Sequence, residues 1–327
     1  MVLLTSGTVA TLLIPITCVC TFSIFLAGYA LQQHSVRKIQ DAIRPYDVIP
    51  TIPDEFSHDN TRETITDPKT GELVTINKGN FAYVQLLSEP NPSDICSSIL
   101  FFKKLIDGES EIQDRLFMYP EEWNMIASSN PNINAALSTL QTASKKYDFW
   151  LLPISMNLVT QQGYSLTDSK LLRLGEIQFM RYDSVLYLRS PGFLLDAKEL
   201  DKMLLSRPLP LKYDINRLES YRNEAWIGMP LLAHQEARLP PVYLISVNTM
   251  RNRVEARTHI PNVALRGFGD LAAGPTYKRT SGIDPAYVFF EWDEDGHSTR
   301  QEDNPYYHQW RKEQTQVCKE IDFDLHQ

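Results

Sequence analysis

Three observations predict an α/β fold with a central, mostly parallel sheet. Between Phe81 and Leu188, apolar runs of strand length alternate with amphipathic segments of helical period. The runs are nearly continuous rather than apolar at every second residue, as expected of strands covered on both faces. The connections are short, which favours right-handed crossovers onto neighbouring strands.

The first run is Phe81–Leu87. Ser93 or Asp94 is placed to cap a helix whose Ile95, Ile99, Leu100 and Phe102 share a broad face, and Gly108 ends it. Arg115–Tyr119 is the second strand, stopped by Pro120. Ile133–Lys146 is an amphipathic helix and Phe149–Leu152 the third strand. Ser165–Met180 reads as one helix with Leu171, Leu172, Leu174, Ile177 and Phe179 turned inward, before a fourth strand at Val185–Leu188. Beyond Leu204 the prolines Pro208, Pro210, Pro240 and Pro241 loosen the pattern. Val242–Val247 and Ala286–Phe290 are further strands, and Gln309–Lys319 is a closing helix, polar apart from Trp310 and Val317. Tyr147, Trp150, Trp226 and Trp292 read as core aromatics.

The chain is 327 residues long, 43% hydrophobic and 22% charged, which suits a globular body with room for one large domain. A net charge of −8 with no basic stripe argues against nucleic acid as a partner. Residues 1–33 carry no charged side chain, and Thr8–Leu31 has the length of a membrane-spanning helix. A cleaved signal peptide would need a basic start and a shorter apolar core, so an uncleaved single-pass anchor over 1–33 is the expectation. Residues 34–79 read as a stem, punctuated by Pro45, Pro50 and Pro53. Within it Asp67–Glu72 has turn chemistry and Leu73–Ile76 the makings of a short strand. The globular domain then spans 80–327. Cys18 and Cys20 fall in the anchor; Cys96 and Cys318 allow one disulfide or two buried thiols.

There is no glycine-rich phosphate loop, no Gly-x-Ser-x-Gly elbow and no zincin spacing among the seven histidines. The residues do carry a resemblance. Phe81–Leu87 followed by Leu116-Phe117-Met118-Tyr119-Pro120-Glu121-Glu122-Trp123 resembles the first two strands of fungal members of glycosyltransferase family 8, the glycogenin-like enzymes. Ser169-Lys170-Leu171-Leu172-Arg173-Leu174 with Tyr182–Leu188 resembles their helix and strand before the metal motif. Tyr306–Lys312 with Val317-Cys318 resembles their closing helix. The resemblance covers 81–205, with a weaker echo over 240–318.

It implies a GT-A fold, a Rossmann-like sandwich binding a UDP- or GDP-hexose at the carboxyl ends of its parallel strands. Gln85, Leu86, Leu87 and Ser88 would border the base, and Lys170 would reach toward the nucleotide. It also brings the closing helix back to the core, so that Cys96 and Cys318 pair or lie near each other. Where the family places Asp-x-Asp, this chain has Arg189-Ser190-Pro191, and the late His-x-x-Gly-x-x-Lys-Pro-Trp element is missing near Tyr287–His297.

No cofactor is therefore assigned. Arg189 either meets a diphosphate directly, with Ser190 beside it, or pairs with a local acid such as Asp183 or Asp196. Asp196 also reads as the cap of the following helix. A weaker alternative has Asp293, Asp295 and His297, alternating along an extended segment, hold Mn²⁺. The function implied is hexose transfer to a glycan, lipid or small-molecule acceptor. The rival is a catalytically inactive paralogue scaffolding an active glycosyltransferase. The resemblance places the body in the Golgi or another secretory lumen, whereas Arg37 and Lys38 after the span point it toward the cytosol.

Overall fold

The computed structural model describes residues 62–66, 73–77, 79–161, 163–208, 224–231, 238–250, 253–279, 282, 284–291, 303–321 and 323. All belong to one compact unit covering 57–327. The expected anchor, with Cys18 and Cys20, lies outside the described residues, and among those no helix is long and apolar enough to cross a membrane.

Strands β1 (Arg62–Thr66) and β2 (Leu73–Asn77) pair antiparallel, with Arg62 opposite Asn77 and Thr66 opposite Leu73. The turn chemistry at 67–72 thus does separate two strands, and β1 corrects the reading of that stretch as plain stem.

The main body follows as β3 (Phe81–Leu86), α1 (Pro92–Asp107), β4 (Asp114–Pro120), α2 (Glu122–Ile126), α3 (Pro131–Lys146), β5 (Trp150–Ile154), α4 (Asn157–Gln161), α5 (Asp168–Gly175) and β6 (Ser184–Leu188). Then come β7 (Gly192–Leu194), α6 (Ala197–Leu205), β8 (Trp226–Gly228), β9 (Val242–Met250), β10 (Arg253–Pro261), β11 (Ala272–Ala273), β12 (Tyr287–Phe289) and α7 (Tyr307–Glu320).

The large sheet has seven strands in the order β5-β4-β3-β6-β9-β10-β8. Its β5-β4-β3-β6 portion is parallel and β9, β10 and β8 add antiparallel, so the sheet is mixed and compatible with a Rossmann-like fold. A smaller sheet, β11-β12-β7, carries the strand expected at Ala286–Phe290.

Each strand face has its own helical cover. Tyr83, Phe117, Leu186 and Leu244 face the cluster built with Ile99, Phe102, Leu140 and Trp310 from α1, α3 and α7. The alternate residues Val84, Met118, Val185 and Ile245 are equally buried on the other face. There α5 packs so closely that a Cβ on Gly175 would strike the Met118 methyl group at 1.9 Å.

Two boundaries differ from the sequence reading. Helix α1 is capped by Asn91, whose side chain accepts from Ser93 N at 2.9 Å, with Pro92 in the first turn; Ser93 and Asp94 are already helical. Asn-Pro is itself a start signal, since proline needs no donor there. The helix expected over 165–180 begins only after its Thr167 cap and tightens into a 3-10 helix at Glu176–Arg181. That change of period leaves Ile177 exposed and Phe179 buried.

Asp201 on α6 anchors a buried polar knot. Its carboxylate accepts from Tyr83 Oη, Ser110 Oγ and Glu111 N, each at 2.7 Å. Burial pushes its pKa up despite these donors. An acid whose folded pKa is raised contributes stability that is present below the unfolded value, about 3.9, and is lost as pH rises through the folded one. Asp201→Asn should cost about 1–3 kcal/mol through weakened buried hydrogen bonds. That cost should be larger near pH 4 than at pH 7.5 in urea unfolding; equal costs would contradict the sign.

Candidate functional site

Strand order reverses between β3 and β6. From β3 the chain steps outward to β4 and β5, then returns to the opposite side of β3 as β6. Connections diverge at such a point and leave a crevice at the carboxyl ends of the strands. A cleft of about 270 Å³ opens there.

Its walls come from six places. Leu87 and Ser88 follow β3, and Tyr187, Arg189, Ser190 and Pro191 belong to the end of β6 and its turn. Leu166, Thr167, Asp168 and Ser169 form the start of α5, and Asp94 sits in the first turn of α1. Arg238 and Leu239 precede β9, and Phe290 and Glu291 follow β12.

Hydrogen bonds tie the walls together. Ser88 N donates to Asp168 Oδ1 at 2.9 Å, joining the end of β3 to the start of α5. Ser190 Oγ donates to the Asp94 carbonyl at 3.1 Å, joining the β6 turn to α1. Arg189 N donates to the Pro241 carbonyl at 2.8 Å, and Tyr287 Oη donates to the Arg189 carbonyl at 2.5 Å. Gly192 is required here, because a Cβ on it would lie 1.8 Å from that Tyr287 hydroxyl.

Charges of both signs face the cleft. Arg189 Nη1 donates to Glu291 Oε1 at 3.2 Å, its Nη2 donates to the Leu239 carbonyl, and the guanidinium lies 5.7 Å from the centre of the Phe289 ring. Arg238 approaches the same Glu291 oxygen at 3.8 Å. Burial pushes the Asp168 carboxyl up, opposed by its hydrogen bonds from Ser88. Tyr187, fully buried beneath, is pushed up by burial and then by the charge of Asp168.

Of the residues singled out from the sequence, Leu87, Ser88, Arg189 and Ser190 come together at this cleft. Gln85 and Leu86 are buried inside the sheet and do not line it. The side-chain Oε1 of Gln85 accepts from Ser98 Oγ at 3.4 Å, while its Nε2 meets no acceptor. Lys170 also stands off the cleft. Its Nζ donates to the Ser165 carbonyl at 2.9 Å and lies 5.3 Å from the centre of the Tyr164 ring. The acid beside Arg189 is Glu291 rather than Asp183 or Asp196. Asp183 meets the buried Arg207 at 3.4 Å, and Asp196 caps α6 by accepting from Lys198 N and Glu199 N.

The residues at the turn after β6 do not fit a metal: a guanidinium, a hydroxyl already donating to a backbone carbonyl, and a proline. Among the described residues no group of three His, Cys, Asp or Glu side chains is placed to hold an ion. Asp293, Asp295 and His297 lie outside the described residues.

Sequence reasoning missed Asp94, Asp168, Arg238 and Glu291 as site residues. Thr167-Asp168-Ser169 did carry a helix-start signal. Nothing local marks Arg238 or Glu291, which reach the cleft through long-range folding.

Behind the cleft, Cys96 and Cys318 form a disulfide with Cα atoms 5.7 Å apart, tying α1 to α7.

No protein-family model matches the chain. Over 124 residues it is 26% identical to glucose N-acetyltransferase 1 of Aspergillus fumigatus, a match covering 36% of this chain. The match spans 30% of the length of that protein, a transferase by name.

Proposed function

We propose that this chain is a sugar-directed transferase of GT-A type, related to glycosyltransferase family 8, that moves a hexose from a nucleotide-sugar donor to a glycan, lipid or small-molecule acceptor. One observation carries the reading: a cleft with charged and hydroxyl-bearing walls at the carboxyl ends of β3 and β6, where strand order reverses. Open α/β sheets bind their ligands at that place. Similarity to a protein named for acetyl transfer to glucose supports a sugar as one reactant.

In this reading Leu87, Ser88, Arg189 and Ser190 belong to the donor site. The uncharged stretch 8–31 is a single membrane span and the body faces a secretory lumen. A disulfide between two fully buried cysteines supports an oxidising compartment.

The test is release of UDP from UDP-glucose by the full chain, with Mn²⁺ or with EDTA. Turnover that survives EDTA is the expected result, because the turn after β6 offers no metal ligands. Turnover abolished by EDTA would instead direct attention to Asp293, Asp295 and His297. The absence of Asp-x-Asp favours a second reading, an inactive relative that scaffolds an active glycosyltransferase. No turnover of UDP- or GDP-hexoses would select it.

A further inference from the structure

We infer that a surface beside the cleft, built by Tyr277, Arg279, Asp284 and Tyr306, docks a neutral oligosaccharide, so that the acceptor is a glycan chain. This rests on the transferase reading above and chooses among the acceptors it allows.

Segments 274–279 and 303–306 meet at this surface, clamped by Asn304, which is only 2% exposed. Asn304 Nδ2 donates to the Gly274 and Pro275 carbonyls at 3.3 and 3.0 Å, and its Oδ1 accepts from Tyr306 N at 3.0 Å. A buried amide with its partners met fixes two surface segments in one geometry, and a ligand that binds there pays little to order them. The clamp leaves the Tyr277 and Tyr306 rings stacked, with centres 6.0 Å apart and planes at 22°, and both residues half-buried.

Polar groups flank the rings. Arg279 Nε and Nη2 donate to Asp284 Oδ1 and Oδ2 at 3.2 and 3.1 Å, and Tyr306 Oη donates to Asp284 Oδ1 at 3.1 Å. The ion pair is exposed, 69% and 55% at its two side chains, and pairs so placed contribute little to folding. The guanidinium keeps further N–H donors and the carboxylate further lone pairs. Adjacent donors and acceptors match the neighbouring hydroxyls of a sugar, and an aromatic side chain offers apolar area to its C–H face. The two charges cancel, which suits an uncharged glycan better than an acidic or basic partner.

The surface is continuous with the cleft. A Cβ on Gly274 would lie 3.2 Å from the Phe289 ring, and the Arg189 guanidinium lies 5.7 Å from the centre of that same ring. Tyr307, next to Tyr306, meets the Phe290 ring with centres 5.8 Å apart, and Phe290 lines the cleft. A chain docked on the tyrosines therefore lies against the end of β12, which backs the cleft.

Isothermal titration calorimetry on the full chain tests the assignment, with maltopentaose, mannopentaose and glucose as probes. At least one pentasaccharide should bind, and glucose, which reaches one unit of the surface, should bind about tenfold more weakly or worse. Tyr277→Ala and Arg279→Ala should each weaken the pentasaccharide about tenfold. The Arg279 variant removes only an exposed side chain, so its result is read on a folded protein. Pentasaccharide binding unchanged in folded Tyr277→Ala and Arg279→Ala proteins overturns the inference, and so does glucose binding as tightly as the pentasaccharides. Failure of both pentasaccharides to bind the wild-type chain overturns it too. Release of UDP from UDP-glucose by the same wild-type protein, read separately, then decides whether the transferase reading falls with it or stands.

Discussion

Replacing Cys96 and Cys318 together by alanine should lower the unfolding free energy by about 2–4 kcal/mol. The bridge closes a loop of 222 residues, and chain entropy alone sets a ceiling of about 5 kcal/mol for a loop of that length. Both cysteines are buried, so a reductant acts only after α7 has moved off α1. The measurement is the urea midpoint of the wild-type chain, oxidised and fully reduced, beside that of the double variant. Reduced wild type and variant should coincide well below the oxidised protein. An oxidised midpoint equal to the reduced one would mean that the bridge adds nothing. The loss should also be felt at the cleft, because the first turn of α1 supplies Asp94 to its wall.

Much of the layered core could be read from the chain because buried parallel strands have few alternatives. Phe81–Leu86 and Ser184–Leu188 are apolar at nearly every position, and both faces of each are covered. Asp196 begins its helix as its chemistry dictates, whereas α1 ends at Gly108 with an ordinary negative φ and the left-handed residue is Glu109. The helix over 165–180 misled because its apolar spacing continues past the point where Gly175 meets Met118 and the turns tighten.

Four of the residues that line the cleft were singled out from the sequence, through the family resemblance at the strand ends. The rest depended on contacts distant in sequence. Arg189 meets Glu291 across 102 residues and Leu239 across 50, distances at which no local pattern pairs two side chains. The same limit explains Lys170. The family resemblance implied a reach toward ligand, yet its Nζ donates to the Ser165 carbonyl and the residue does not line the cleft.

Trp310→Ala should be the most damaging single substitution in the closing helix, at about 3–5 kcal/mol. Its side chain is fully buried and stacks on Phe290 with ring centres 4.5 Å apart. Its indole N–H donates to Ser97 Oγ at 3.1 Å, and that hydroxyl donates onward to the Gly192 carbonyl at 3.0 Å while accepting from Gly192 N at 2.9 Å. One residue therefore fills the space beneath α1 and steadies the turn that follows Arg189. Trp310→Phe separates these roles in part: it keeps a stacked ring, loses the donor and some of the buried volume, and should cost less than alanine. Urea unfolding of the two variants decides. Equal costs would show that the cavity matters little, and a cost below about 1 kcal/mol for alanine would remove Trp310 from the core argument. Because Phe290 also lines the cleft, the alanine variant should lose sugar binding beyond what its stability predicts. Combined with loss of the disulfide that ties the same helix to α1, its cost should fall short of additive, since α7 is released once and not twice.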